Sequence, residues 1–89
     1  MYRKERMASV MRDLLAQEIE KTADPHGALL TIMDVVVDED LEKAVVTVSV
    51  FPDDKKSGLV RTLNKNASTL AFFLLKKMKI RKVPLLEFV

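Results

Sequence analysis

NASTLAFFLLKKMKIRK, residues 66–82, joins a strongly apolar helix to an unbroken run of cations. Asn66, Ser68 and Thr69 open the stretch as poor helix-interior residues, because their side chains compete for backbone hydrogen bonds. Leu70 to Leu75 are apolar throughout, and Lys76, Lys77, Lys79, Arg81 and Lys82 follow with no acid among them. Upstream, Ser57 is a candidate N-cap for a helix running to about Lys79. On a wheel of about 100° per residue, Val60, Leu63, Ala67, Leu70, Ala71, Leu74 and Met78 share one face. The polar residues near its middle predict a kink or break at residues 66–68.

Working outward, Pro84 introduces a short last strand, PLLEFV, with Leu86 and Phe88 directed inward. Before the helix, KAVVTVSVF alternates with period two, placing Ala44, Val46, Val48 and Val50 on one face and Val45, Thr47, Ser49 and Phe51 on the other. LLTIMDVVVD precedes it, and the short acidic link Asp38-Glu39-Asp40 between the two predicts an antiparallel hairpin. From about Glu5, the spacing of Met7, Val10, Met11, Leu14 and Leu15 predicts an amphipathic helix that ends before Ala23-Asp24-Pro25-His26-Gly27. The order is helix, strand, strand, kinked helix, strand. Packing both amphipathic stripes on one face of a three-stranded sheet gives a two-layer α+β sandwich.

The whole chain, residues 1–89, reads as a single domain. A chain of this length buries about 60–65% of the surface its unfolded form exposes, enough for one modest core. With no cysteine there is neither a disulfide framework nor a thiolate site, which points to a reducing interior and a cytoplasmic location. The longest apolar run is too short to span a bilayer, and the start, MYRKERM, has no apolar signal region.

The net charge of +2 conceals a division along the chain. Residues 1–54 hold twelve acids and six bases, whereas residues 55–89 hold nine bases and only Glu87. Arg61, Lys65, Lys76 and Lys79 fall within about 60° of one another, opposite the apolar face, on a straight helix. Lys77 sits at the margin of that face, and Arg81 and Lys82 carry the charge into the following loop. Solvated faces normally mix both signs, and aligned like cations repel. A polyanion partner relieves that repulsion, so these seven residues are candidate phosphate contacts, with Arg3, Lys4 and Arg6 as auxiliaries. The alternative is a face kept cationic for solubility. Phe72 falls inside the stripe; it could stack on an unpaired base, but the expected reading is that the kink or the N-terminal segment buries it.

Other chemistries find little support. The basic amphipathic stretch would have to strip the sheet of its core to lie on a membrane. The acidic turn lacks the glycine and distal glutamate of a calcium loop, and His26, the one histidine, has no thiolate to share a metal with. No nucleophile–base set and no glycine-rich phosphate loop is visible, so neither an enzyme, a cofactor nor a small-molecule substrate is expected.

Taken together, the chain resembles the bacterial ribosome-binding factor A family over essentially its whole length. Asp24-Pro25 follows helix one, as in the family's Asp-Pro-Arg, with His26 in place of the arginine. Asp40-Leu41 sits in the hairpin, Ala44-x-Val46-x-Val48 forms strand two, and Met78-Lys79-Ile80-Arg81-x-x-Pro84 is followed by Leu86. Leu85 stands where the family often has glutamate. The resemblance implies a KH-like domain of the second topological type, in which an alanine-x-glycine interhelical kink replaces the glycine clamp; the corresponding triplet is Asn66-Ala67-Ser68. Asn at its first position tolerates a left-handed backbone. The family continues past the final strand in a short tail, whereas this sequence ends at Val89, as a shortened or a minimal member would.

The resemblance further implies a monomeric assembly factor that binds the small ribosomal subunit and its ribosomal RNA, acts in rRNA processing and matters most in the cold. The residues themselves agree with backbone contact rather than sequence readout, since a glycine clamp is lacking, Tyr2 is the one tyrosine and there is no tryptophan. A similar module acting on another nucleic acid or on an acidic protein stays open on the sequence alone.

Overall fold

The structure, a computed structural model, describes residues 3–21 and 28–89. Tyr2 and the Asp24-Pro25-His26 motif lie outside the described residues. The elements are α1 (Lys4–Lys21), β1 (Leu29–Val37), β2 (Lys43–Phe51), a 3-10 turn (Asp53–Lys55), α2 (Lys56–Lys65), α3 (Ala67–Met78) and β3 (Leu85–Phe88). The strands form one sheet in the order β1-β2-β3, with β1 antiparallel and β3 parallel to β2. This mixed sheet with its helices is the α+β arrangement expected above.

The period-two pattern of β2 holds throughout. Ala44, Val46, Val48 and Val50 are buried, while Lys43, Thr47, Ser49 and Phe51 are exposed. The buried side meets Met7, Met11, Leu15 and Ile19, which recur at helical spacing along α1, and Leu74 and Met78 of α3. Leu86 and Phe88 complete this core from β3. The opposite side of the sheet, with Leu29, Val36, Phe51 and Leu85, faces solvent.

Asp38 organises the hairpin. Its Oδ1 accepts the N–H groups of Glu42 (2.7 Å) and Lys43 (3.2 Å), and its N–H donates to the Lys43 carbonyl (3.0 Å). Leu41 takes the left-handed conformation at φ 57° that closes the turn.

Each outer strand has a side chain fixed on its free edge. Val46 and Val48 direct their backbone groups to Val89, at the end of β3, so Val45 and Thr47 serve β1 through Val36 and Asp34. The backbone groups of Val35 therefore point to the free edge while its side chain stays in the core, and Asp34 Oδ1 accepts its N–H at 2.9 Å, beside a bulge at Met33. On β3 the alternation turns the backbone N–H and carbonyl of Phe88 to the free edge. There Asn64 of α2 both accepts the Phe88 N–H (2.8 Å) and donates to its carbonyl (3.0 Å). A strand edge left open is a template for unwanted pairing, and these contacts blunt both edges.

Two local expectations are corrected. Ser57 does not cap the helix: the chain enters through the 3-10 turn, where Lys55 N–H donates to the Pro52 carbonyl (3.1 Å), and Lys55 occupies the N-cap. The turn supplies the backbone partners, and Asp53 and Asp54 place acids ahead of α2, so a hydroxyl cap is not needed. The break falls at Asn66, but at φ −98° and ψ 12°, not in the left-handed region. Its N–H reaches back to the Thr62 and Leu63 carbonyls (both 3.1 Å) and its own carbonyl accepts from Leu70 N–H (3.1 Å), so one residue ends α2 and starts α3. The kink therefore requires no glycine.

Candidate nucleic-acid interface

The kink sorts the cations onto three consecutive segments. Arg61 and Lys65 belong to α2, Lys76 and Lys77 to α3, and Lys79, Arg81 and Lys82 to the turn that enters β3. The break predicted at residues 66–68 thus divides the stripe that a straight helix would carry. All seven are nevertheless exposed. Arg61 and Lys65 stand two residues either side of half-buried Leu63, about 200° round the helix from it. Lys76 stands likewise to Leu74, whose side chain is fully buried. Both helices therefore direct these cations away from the sheet.

The helix stops one residue short of Lys79, which adopts the left-handed conformation at φ 54° and ψ 43° while its N–H donates to the Leu75 carbonyl (3.1 Å). A lysine at this capping position carries a conformational penalty that glycine would avoid. The turn then delivers Leu85 N–H to the Glu42 carbonyl (2.8 Å), so Lys79–Lys82 lie at the hairpin-turn end of the sheet.

The auxiliary residues lie at the same end. Lys4, at the start of α1, pairs with Glu39 of the hairpin turn. That hydrogen bond, reinforced by the Glu39 charge, holds the Lys4 amine above its ordinary value. Lys4 can meet a phosphate only by exchanging Glu39 for it. Arg3 and Arg6 are exposed on the adjoining first turn. Elsewhere Lys43 pairs with Glu87 at 2.7 Å across the open face of the sheet, and its pKa is raised by the same two causes. Among the described residues, no ion pair joins any of these seven cations to a carboxylate.

Phe72 corrects a further expectation. It is 58% exposed, not packed in the core, because it lies about 200° round α3 from buried Leu74. Lys76 Nζ stands 5.0 Å from the centre of its ring, a cation–π contact between neighbouring turns. Asn64 was missed as a tertiary contact. A polar residue in the middle of a helix signals weakened propensity, and nothing local reveals a strand edge it could satisfy.

The family comparison agrees with the fold. Ribosome-binding factor A matches over residues 3–89. The chain belongs to that family. A ribosome-binding factor A from Dichelobacter nodosus is 36% identical over 79 residues, covering 86% of this chain. The chain spans 65% of that relative's length. The crystal structure of ribosome-binding factor A from Thermus thermophilus superposes with a TM-score of 0.83 at 29% identity, covering 99% of this chain and 96% of that one. A Thermus thermophilus ribosome binding factor A fitted into a cryo-EM map of a 30S complex gives a TM-score of 0.79 at 30% identity, over 91% of this chain and 87% of that one. Family membership rests on these relatives; the mixed sheet and the exposure of the seven cations rest on the structure of this chain. No helix among the described residues is long and apolar enough to cross a membrane.

Proposed function

We propose that this chain is a non-enzymatic assembly factor, a single KH-like domain that binds the small ribosomal subunit through its ribosomal RNA during rRNA processing and subunit maturation. It works as a cytoplasmic monomer, without a cofactor, and its contribution is greatest in the cold. Arg61, Lys65, Lys76, Lys77, Lys79, Arg81 and Lys82 contact phosphates, and Arg3, Lys4 and Arg6 extend the contact at the hairpin-turn end. Asn66, Ala67 and Ser68 set the angle between the α2 and α3 segments of the ridge.

The observation that carries this reading is the exposed set of seven cations with no carboxylate partner among the described residues. Unrelieved repulsion among neighbouring cations disfavours the free state, and a phosphate backbone removes it while releasing counterions. The relative placed in the 30S complex map supports the choice of the small subunit. Edge-blunting by Asp34 and Asn64 supports the monomer.

Salt dependence tests the proposal. With about five phosphates engaged, log affinity for ribosomal RNA should fall against log salt with a slope of about −3.5 to −4.5. Replacing Lys76, Lys77 and Lys79 together by Glu should abolish binding and leave the thermal midpoint close to that of the wild type. A flat slope would turn the reading toward a protein partner, and unfolding of the triple variant would make the ridge structural.

A further inference from the structure

Seven large apolar side chains are exposed among the described residues: Leu29, Met33, Val36, Phe51, Phe72, Leu85 and Val89. All but Phe72 belong to the strands or the end of the chain; Phe72 alone sits on a helix. Its neighbours one turn away are Ser68, Thr69 and Lys76, all exposed and polar, and the half-buried Leu75. A ring bordered on three of four sides by polar groups offers too little apolar area for a protein hot spot, which needs a desolvated pocket ringed by supporting contacts. A flat π-face beside an ammonium group has another natural ligand.

We propose that Phe72 is a stacking platform for an unpaired RNA base, with Lys76 holding the phosphate attached to it. This inference rests on the RNA-binding reading above and deepens it. It makes the ridge select single-stranded or bulged RNA, whereas phosphate contacts alone would accept a duplex equally well. Every base has a π-face, so the platform tolerates sequence and confers preference for strandedness. A helical side chain leans toward the preceding turn. The small side chains of Ser68 and Thr69 leave space there for a base, while Lys76 leans over the ring from the following turn, with Nζ 5.0 Å from its centre. Base and ammonium can therefore engage the ring together, joining aromatic stacking to a cation–π contact. An intact duplex cannot use the platform without unstacking a base.

The test compares the full chain with Phe72→Ala, Phe72→Leu and Phe72→Trp, using a twelve-nucleotide RNA single strand and its duplex. Phe72→Ala and Phe72→Leu should weaken single-strand binding by about 5- to 150-fold, the range for losing one stacked base. They should leave duplex affinity, the salt slope and the thermal midpoint near wild-type values. Phe72→Trp should restore binding. Because the chain has no tryptophan, the new indole is a sole reporter whose fluorescence should be quenched by the single strand. If Phe72→Ala binds the single strand as tightly as the wild type while Lys76, Lys77 and Lys79 to Glu abolishes binding, stacking is overturned and the RNA-binding reading stands. Full activity of Phe72→Leu would likewise overturn it, since leucine packs without a π-face. Absence of salt-dependent binding by the wild type to either RNA would overturn both.

Discussion

Asn64→Ala should be the most destabilising change to a polar side chain on the helical layer. In the native structure the Asn64 amide accepts the Phe88 N–H at 2.8 Å and donates to its carbonyl at 3.0 Å. Phe88 is 1% exposed, so its main chain has little access to replacement water. Two hydrogen bonds at about 1 kcal/mol each, with part of the roughly 1–3 kcal/mol for a buried group left unsatisfied, put the loss at about 2–4 kcal/mol. For a domain of this length that lowers the melting temperature by at least about 8 °C. Urea denaturation followed by circular dichroism measures it. Asn64→Asp separates the two bonds. Its carboxylate still accepts from Phe88 N–H but sets an acceptor against the carbonyl, so the ionised form is disfavoured in the fold and the folded pKa rises. The variant should therefore be weakest at neutral pH and should recover as the pH falls through its folded pKa toward the unfolded value of about 3.9. A loss below about 0.5 kcal/mol for Asn64→Ala, or a pH-independent Asn64→Asp, would refute the claim that this side chain ties α2 to β3.

Further outcomes follow from other residues. Lys79→Gly relieves the left-handed backbone at φ 54° and should gain about 1 kcal/mol of stability by thermal melting, yet weaken RNA binding by removing a ridge cation. Leu74→Ala, at a fully buried position between α3 and the sheet, should cost about 2–5 kcal/mol in urea denaturation. Asp38→Ala removes the acceptor for the Glu42 and Lys43 N–H groups and should cost about 1–2 kcal/mol, with enhanced amide exchange confined to the hairpin turn. Glu87→Gln should change stability little at neutral pH, as for other exposed pairs. Because Lys43 has a raised pKa, any contribution from its pair is fully present below the ordinary lysine value and is lost as pH rises through the folded one, so wild type and variant should converge there.

Much of the fold was legible because two periodicities were clean. The alternation in β2 and the spacing of Met7, Met11 and Leu15 on α1 each leave one way to bury the apolar residues. The break was legible too, since Asn66, Ser68 and Thr69 weaken a helix by a local mechanism. What local patterns could not show were contacts between distant segments. Asn64 satisfies a strand 24 residues away, and the entry into α2 uses a backbone turn where a hydroxyl cap was expected. The cations were found from the charge division along the chain and their helical spacing, but their division over α2, α3 and the turn depends on the break and on Lys79 leaving the helix. Phe72 was misassigned for a related reason: an apolar residue in an apolar run suggests the core, and only the orientation of α3 against Leu74 turns it outward.

The central claim is that the ridge formed by α2, α3 and the turn into β3 docks on the RNA of the small subunit. Co-sedimentation at low and moderate salt, with free small subunits, large subunits and whole ribosomes as separate arms, tests it most directly. The wild type should pellet with free small subunits in a salt-sensitive manner, and the variant with Lys76, Lys77 and Lys79 changed to Glu should stay in the supernatant while remaining folded. Equal recovery of the folded variant and the wild type on small subunits would contradict it.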